Sequence, residues 1–304
     1  MADNALTLSL RSRMWTREAR LAYLMLLPAA LVVVGFMIYP LIYVVLMSTY
    51  KTNALGWLTT FAGIKNFVSV LSDTEFWRIT GRSLLWTGIG VFVKASLGMI
   101  IALLLNVKYR GRKVARMLFI APWASSVPIS VLLWSWVYTP EFGLLNHTLE
   151  VFGWAHPPVW LGTPIPGFIA CMWVDVWIGV PFMALVFLSG MQAIPEDQYE
   201  SAYIDGVNSF QKFIYITLPG LRNIILIATL LSALWTFNDF NAIYILTAGG
   251  PVNSTDILIT SLYKNAFVYL KFDRAAVMAV ITFLILTVIS IVYAKFYFKG
   301  ERKE

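Results

Sequence analysis

The sequence predicts an all-α membrane protein with six transmembrane helices and both termini in the cytoplasm. Of its 304 residues, 59% are hydrophobic and only 13% are charged, whereas a soluble domain carries about 25% charged residues. Six apolar stretches are each long enough to cross a bilayer, which takes about 20 residues. This much apolar sequence excludes a disordered chain, and too few polar residues remain to cover an ordinary soluble fold.

The first span, Leu21–Met47, carries no charged residue. Its apolar run is too long for a cleavable signal peptide, and no small-residue cleavage site follows it. We therefore expect it to remain as a membrane anchor, kinked at Pro28 and Pro40.

Each of the other five spans contains at most one ionisable residue. Such a residue at membrane depth is costly and usually faces a cavity or a partner. The spans are Ser83–Val107 with Lys94, Met117–Tyr138 with none, Ile165–Met191 with Asp175, Asn223–Thr247 with Asp239, and Ala275–Phe298 with Lys295.

The Lys and Arg residues set the orientation. Most of the 23 lie before the first span, between the second and third spans, between the fourth and fifth, or at the C-terminal end. Because positive residues stay inside, these segments are predicted to be cytoplasmic. The net charge of +7 then reflects topology, and we expect no nucleic-acid partner. The resulting divisions are an N-terminal segment 1–20, a first helix 21–48, an external loop 49–82, a five-helix core 83–298 and a tail 299–304.

The connection 192–222 is longer and more patterned than a link between antiparallel helices requires. Pro195 opens it, and Glu196, Asp197 and Glu200 suit the first turns of a short helix. Gly206 can supply a positive φ for a sharp turn, and Asn208 or Ser209 can cap a second short helix. We expect a knob of two short helices, although an amphipathic helix lying on lipid would fit the same residues.

The sequence gives no sign of catalysis or metal binding. Its only histidines, His147 and His156, lack the spacing of metal ligands, and its one cysteine, Cys171, lies in an apolar run. No phosphate-binding pattern of the G-x-x-x-x-G-K-[ST] type occurs. We therefore expect neither a cofactor nor ATP hydrolysis in this chain.

The knob resembles the EAA loop of binding-protein-dependent ABC importer permeases. The family pattern is Glu-Ala-Ala, three residues, Gly, nine residues and Ile-x-Leu-Pro, and here Glu200-Ser201-Ala202, Gly206 and Ile216-Thr217-Leu218-Pro219 have that spacing. Ser201 is the one departure. Further segments resemble the carbohydrate-type members of the maltose and glycerol-phosphate kind, namely 36–40 (FMIYP), 121–123 (APW) and 246–251 (LTAGGP).

This resemblance implies a type I ABC importer permease fold, multi-pass in the lipid of a bacterial inner membrane. It also implies the partners: a second homologous permease, two cytoplasmic ATPase subunits that bind ATP and Mg, and an extracytoplasmic solute-binding protein. The residues expected to couple to an ATPase are Glu200, Ser201, Ala202, Gly206, Phe210, Phe213, Leu218 and Pro219.

Asp175 and Asp239 are the acids at membrane depth, and each lies among indole rings. Trp235, Asn238 and Asp239 have the spacing of one helix face. Carboxylates accept hydrogen bonds from hydroxyl groups and rings pack on C–H faces, a chemistry suited to sugars, and two acids favour a neutral polyol over an anion. Helix-to-helix polar contacts are the alternative, with Lys94 as a partner for Asp175.

The resemblance adds positions to this substrate path. Matching from the loop motif gives Asp175, Gly179, Phe182, Trp235, Thr236 and Asp239, and the third span gives Trp123 and Val127. The turn Gly249-Gly250-Pro251 resembles a loop that faces the binding protein, although such a sequence makes a plain turn in any case.

Two functions stay open on these residues. The first is the permease subunit of an ATP-driven importer for a sugar or sugar derivative. The second is an ion-coupled secondary transporter in which Asp175 and Asp239 relay protons or ions. The two functions differ in the energy source that drives transport.

Overall fold

The computed structural model describes residues 17–301. The predicted N-terminal segment before residue 17 and the end of the tail after residue 301 lie outside this range. The helices are α1 (Arg17–Val33), α2 (Tyr39–Thr49), α3 (Lys65–Leu71), α4 (Thr74–Asn106), α5 (Arg112–Ala124), α6 (Val127–Val137), α7 (Leu144–Val151), α8 (Pro164–Ala193), α9 (Glu196–Ile204), α10 (Ser209–Lys212), α11 (Leu218–Gly220), α12 (Arg222–Phe237), α13 (Asn241–Thr247), α14 (Leu258–Tyr263) and α15 (Phe272–Glu301).

Short irregular elements join these helices. One-turn π-helices occupy Val34–Ile38, Phe213–Thr217 and Lys264–Val268, and a 3-10 turn occupies Trp160–Gly162. Strands β1 (Tyr50–Thr52) and β2 (Leu58–Phe61) pair antiparallel, with Tyr50 opposite Phe61. The sequence did not predict this hairpin.

Five helical stretches are long and apolar enough to span a membrane, and a bent pair of helices makes a sixth candidate. Two of them begin three or more residues before the sequence-predicted start: α4 begins at Thr74 rather than Ser83, and α15 begins at Phe272 rather than Ala275. Asp73 caps α4 by accepting a hydrogen bond from the Glu75 amide. The helix thus starts within residues 49–82, which the sequence analysis assigned to the external loop.

The third span is not the continuous helix that the sequence predicts over Met117–Tyr138. It consists of α5 and α6, inclined by 94° to each other. Pro128 lies in the first turn of α6 and has no N–H to continue an earlier helix. The Ser125 hydroxyl donates to the Pro122 carbonyl at the break.

The fifth span, predicted to be continuous over Asn223–Thr247, is also broken, between α12 and α13. The Asn238 side chain donates to the Leu234 carbonyl and so closes the end of α12. The Asp239 carboxylate accepts from the amides of Asn241 and Ala242 and so caps the start of α13. The expectation that Asp239 lies on the same helix face as Trp235 is therefore wrong, because Asp239 follows the end of that helix.

The α4–α8 pair forms the centre of the bundle. Their backbones approach closely at Gly98, where an added Cβ would lie 2.5 Å from the Met183 Cβ. Helices α5 and α12 flank this pair, α13 packs against α6, and α15 packs against α2 and α12. Along α8, Cys171 and Val174 belong to one buried apolar cluster and Met183 and Phe187 to another. Four residues between Val174 and Met183 face the candidate site, namely Asp175, Ile178, Gly179 and Phe182.

Candidate functional site

A cavity of about 580 Å³ lies where the two broken spans meet α8. Of the sequence-predicted substrate-path residues, all except Thr236 line it, namely Trp123, Asp175, Gly179, Phe182, Trp235, Asn238 and Asp239. Residues from both sides of each helix break line the cavity. The lining also includes Lys94 and Val127, which the sequence brought into consideration, and Ile178, Ser232, Leu234 and Asn241, which it did not.

Lys94 forms the central contact of the cavity wall. Its ammonium lies 2.6 Å and 2.7 Å from the two carboxylate oxygens of Asp175 and donates at 2.7 Å to Oγ1 of Thr236. The side chains of Lys94 and Asp175 are only 4% and 9% exposed. The pair therefore joins α4, α8 and α12, and Thr236 lies behind the lining as a partner of Lys94. The polar contact between helices that the sequence left open for Asp175 is present, and the same residue also lines the cavity.

Gly179 contributes space rather than a contact group. A Cβ at this position would lie 2.8 Å from Cδ and 2.9 Å from Cε of Lys94. Such distances are shorter than van der Waals contact, so any larger residue would displace the lysine stem. The glycine thus allows Lys94 to reach Asp175.

Three aromatic rings form one side of the cavity. The Phe182 ring meets the Trp235 ring edge to face, with centroids 4.9 Å apart, and lies 6.1 Å from the Trp123 ring. Trp235 and Trp123 are 54% and 46% exposed. Their open faces can pack against the C–H surface of a ring-shaped solute.

Asp239 presents a carboxylate to the same space. Within the described part of the chain, its hydrogen bonds to the amides of Asn241 and Ala242 both involve Oδ1. The bond to Asn241 is 3.0 Å long. Oδ2 is left to accept from a solute hydroxyl group. The sequence identified this acid by its depth in an apolar run but missed its role as a helix cap.

At one end of the bundle, residues 195–217 form a knob of two short helices, as predicted. Helix α9 ends before Gly206, which has a φ of +73°. Asn208 and Gln211 make a reciprocal capping box at α10. The hydroxyl groups of Tyr199 and Thr217 lie 2.9 Å apart and tie the first helix to the segment that leads into α11.

The predicted coupling residues differ in exposure. Phe210 is 70% exposed, Phe213 is half-buried and Ala202 is buried. Apolar side chains that the sequence reasoning did not single out are also exposed, including Tyr203, Ile204 and Tyr215. The other predicted coupling residues, Glu200, Ser201, Gly206, Leu218 and Pro219, are exposed.

The Gly249-Gly250-Pro251 turn lies at the other end of the bundle. Gly249 is buried with a φ of +84°, and a Cβ there would overlap with Oδ1 of Asp256. Asp256 in turn pairs with Lys264 at 2.7 Å. Gly249 therefore shapes the turn from inside, while Val252, which the sequence reasoning missed, is 99% exposed at its tip.

Within residues 17–301, no group of three or more His, Cys, Asp or Glu side chains is placed to hold a metal ion.

Comparison with known proteins identifies the chain's relatives. The family described as "Binding-protein-dependent transport system inner membrane component" matches residues 94–300. The "Trehalose/maltose transport system permease protein MalF" of Thermococcus litoralis is 38% identical over 96% of this chain and 97% of its own length. The "Diacetylchitobiose uptake system permease protein DasB" of Streptomyces coelicolor is 32% identical over 100% of this chain and 94% of its own length.

A solved structure confirms the predicted fold class. A chain of a bacterial ABC transporter involved in the import of the acidic polysaccharide alginate superposes with a TM-score of 0.83. It is 22% identical in sequence, and the match covers 96% of this chain and 99% of that one. The protein is thus a multi-pass membrane protein with the fold of an ABC importer permease. Because the family match covers more than half of the chain and the relatives cover nearly all of it, the chain belongs to the family of binding-protein-dependent transport system inner membrane components.

Proposed function

We propose that this protein is the permease subunit of an ATP-driven importer for a sugar or sugar derivative. The observation that carries the proposal is the cavity between the two broken spans. It combines the exposed faces of Trp123 and Trp235 with the free carboxylate oxygen of Asp239 at membrane depth. Rings for C–H faces and an acceptor for hydroxyl groups are what a sugar requires.

The relatives support the sugar class. One is named for trehalose and maltose, another for diacetylchitobiose, and the superposed structure for an alginate importer. Each solute is a carbohydrate. We therefore assign this chain the same class of solute.

Energy enters through the knob in this proposal. The exposed Glu200 and Phe210 dock on a cytoplasmic ATPase subunit, and Gly206 fixes the angle between the two short helices. Helix α12 follows the knob through α11 and carries Trp235 and Thr236 at its other end. Its 16 residues extend about 24 Å at about 1.5 Å per residue. A rigid helix of this length transmits a movement of the knob to the Lys94–Thr236 contact.

The remaining partners follow from the same arrangement. A second, homologous permease closes the open side of the cavity, and two ATPase subunits bind ATP and Mg. An extracytoplasmic solute-binding protein docks at the opposite end, where Val252 and the 249–251 turn lie. The knob and both termini then face the cytoplasm, in agreement with the distribution of Lys and Arg.

The test is the energy source for uptake. In proteoliposomes that hold the assembled importer with ATP inside, vanadate should abolish sugar uptake and a proton uncoupler should leave it unchanged. An ion-coupled transporter would give the reverse result. Family membership favours the ATP-driven mechanism, and Asp175 is held in an ion pair with Lys94 rather than free to relay protons.

A further inference from the structure

The cavity has an uneven balance of charge. The ionisable residues among its lining are Lys94, Asp175 and Asp239. Lys94 and Asp175 neutralise each other at 2.6 Å. Asp239 has backbone amides on one oxygen, and the one cation among the described lining residues, Lys94, is paired with Asp175 instead.

Lys94 cannot turn to form an ion pair with Asp239 as well. Its ammonium is committed to Asp175 and Thr236, and its side chain is 4% exposed. The lysine stem also lies in the space left by Gly179, where even a Cβ would come within 2.8 Å of it. A swing toward Asp239 would leave the buried Asp175 carboxylate unpaired, which is strongly unfavourable.

We propose that this cavity selects by charge: it admits sugars that are neutral or carry an ammonium group, and it rejects uronic acids and sugar phosphates. This inference rests on the proposed function and names the solute class more narrowly. The physical reason is that the carboxylate of Asp239 repels an anionic solute and attracts a cationic one at close range. In a medium of low dielectric constant this interaction is screened only weakly. The nearby indole faces of Trp123 and Trp235 favour C–H groups and cations and disfavour anions.

The charge of Asp239 can be removed without removing the helix cap. In Asp239→Asn the side-chain oxygen still accepts from the amides of Asn241 and Ala242, so α13 keeps its start. Asp239→Ser offers a second uncharged cap, in case the first variant fails to assemble. Glu141→Gln is the matched control, because it removes one negative charge from an exposed residue outside the cavity.

The first measurement reads the cavity potential directly. Asn241→Cys places a thiol on the cavity wall, and the native Cys171 is fully buried. In the assembled importer, the thiol is labelled with a cationic or an anionic methanethiosulfonate reagent of similar size. We expect labelling by the cationic reagent to be favoured at least about tenfold relative to a thiol introduced by Glu141→Cys. This preference should fall to within about threefold in Asp239→Asn and stay unchanged in Glu141→Gln.

The second measurement uses sugars. Glucose, glucosamine and glucuronate differ in charge on the same ring, and each is tested at equal concentration for protection of the thiol that Asn241→Cys introduces. Glucose and glucosamine should protect, whereas glucuronate should protect only when Asp239→Asn is present. Equal protection by all three with Asp239 intact, or a reagent preference that Asp239→Asn leaves unchanged, overturns the charge selection while leaving ATP-driven sugar uptake in place. Failure of every sugar to protect or to be taken up contradicts the proposed function itself.

Discussion

At the scale of single residues, the Lys94–Asp175 pair shows how a membrane-buried ion pair is accommodated. Both charges are nearly inaccessible, yet each has the other within hydrogen-bonding distance, and Thr236 accepts a further bond. Removing one partner from such a pair costs about 3–5 kcal/mol, whereas replacing both with apolar residues is often neutral. The pair therefore ties three helices together, but only while it is complete.

Lys94→Met is expected to destabilise the protein by about 3–5 kcal/mol, because it leaves the Asp175 carboxylate buried and unpaired. The double variant Lys94→Met with Asp175→Leu should recover most of that loss. Thermal unfolding of the purified importer in detergent, followed by tryptophan fluorescence, measures both. Equal destabilisation of the single and double variants would contradict this account of the pair.

The sequence identified the acids of the site and left open a contact between Asp175 and Lys94, but it did not predict the cap made by Asp239. Asp175 and Asp239 stand out because carboxylates are costly in apolar runs. That Lys94 meets Asp175 across 81 positions of the chain is a tertiary contact, and no local pattern encodes it. The cap made by Asp239 is local, and its signal was present in the Asn238-Asp239 pair, since both residue types favour helix ends.

At the scale of elements, the two helix breaks place the cavity. The segments that follow the breaks, α6 and α13, pack against each other, while α12 and α5 lie against α4 and α8. Hydropathy counts both spans correctly and cannot reveal that they are discontinuous, because apolar composition is the same on either side of a break. Pro128 was a visible sign of the first break.

The knob is the element for which local pattern was most informative. Its helix starts, its glycine turn and its capping box all arise from short-range backbone chemistry. The capping box joins Asn208 to Gln211, three residues on. What the sequence did not supply is the side-chain exposure, such as that of Ile204 and Tyr215, because exposure depends on what packs beneath.

Gly206→Pro is expected to uncouple ATP hydrolysis from sugar uptake, because proline fixes φ near about −65° and Gly206 requires +73°. Uptake should fall at least about tenfold while ATP hydrolysis continues and membrane insertion is normal. Glu200→Lys, on the exposed face of α9, should act in the same direction without altering the backbone.

Gly153→Pro is the matched control for this change. Gly153 also has a positive φ, +91°, and like Gly206 has open space where a Cβ would be. It lies after α7, away from the knob. Normal coupled uptake in Gly206→Pro, or equal loss of uptake in Gly153→Pro, would count against a coupling role for the knob.

At the scale of the whole molecule, ion pairs fasten the end of the bundle opposite the knob. Arg274, at the start of α15, pairs with Asp73, the cap of α4, and Lys51 of the hairpin pairs with Asp273 at 3.1 Å. These contacts join segments about 200 residues apart in the chain. The hairpin, the second span and the last span are thereby held as one unit.

The Asp73–Arg274 pair makes stability depend on pH. The hydrogen bond from Arg274 holds the pKa of Asp73 below its ordinary value of 3.8. The stabilisation is therefore complete above about pH 4 and is lost as pH falls through the lowered pKa of the folded protein. We expect Asp73→Asn to lower the melting temperature at pH 6 and to lower it by less at pH 3, because part of the stabilisation is already lost below the ordinary pKa of 3.8.

Melting curves of the purified protein between pH 3 and pH 6 measure this difference. An exposed ion pair contributes about 0.2–1 kcal/mol, and this pair, whose side chains are each 31% exposed, should lie toward the upper end. Glu141→Gln, at an exposed acid without an ion pair in the described chain, should leave the pH profile unchanged. A loss of stability in Asp73→Asn that is the same at both pH values would assign Asp73 a capping role alone.

Composition predicted that the molecule is a membrane protein, because every span must be long and apolar to cross the bilayer. Six candidate spans are found when the bent pair of α5 and α6 is counted as one span. The hairpin at 50–61 escaped prediction because its strands are short and its pairing depends on the turn around Asn53, whose side chain accepts from the amides of Leu55 and Trp57. An element that depends on local turn geometry gives a weak sequence signal compared with the apolar signal of the spans.

The 94° break in the third span has a consequence for solvent. At each helix end, about four backbone groups lack a partner within the helix, and the Ser125 hydroxyl satisfies only the Pro122 carbonyl. The others at the break need polar partners, since hydrocarbon offers no hydrogen bonds. In the proposed importer, a sugar that enters supplies such partners through its hydroxyl groups and exchanges part of its hydration shell for them.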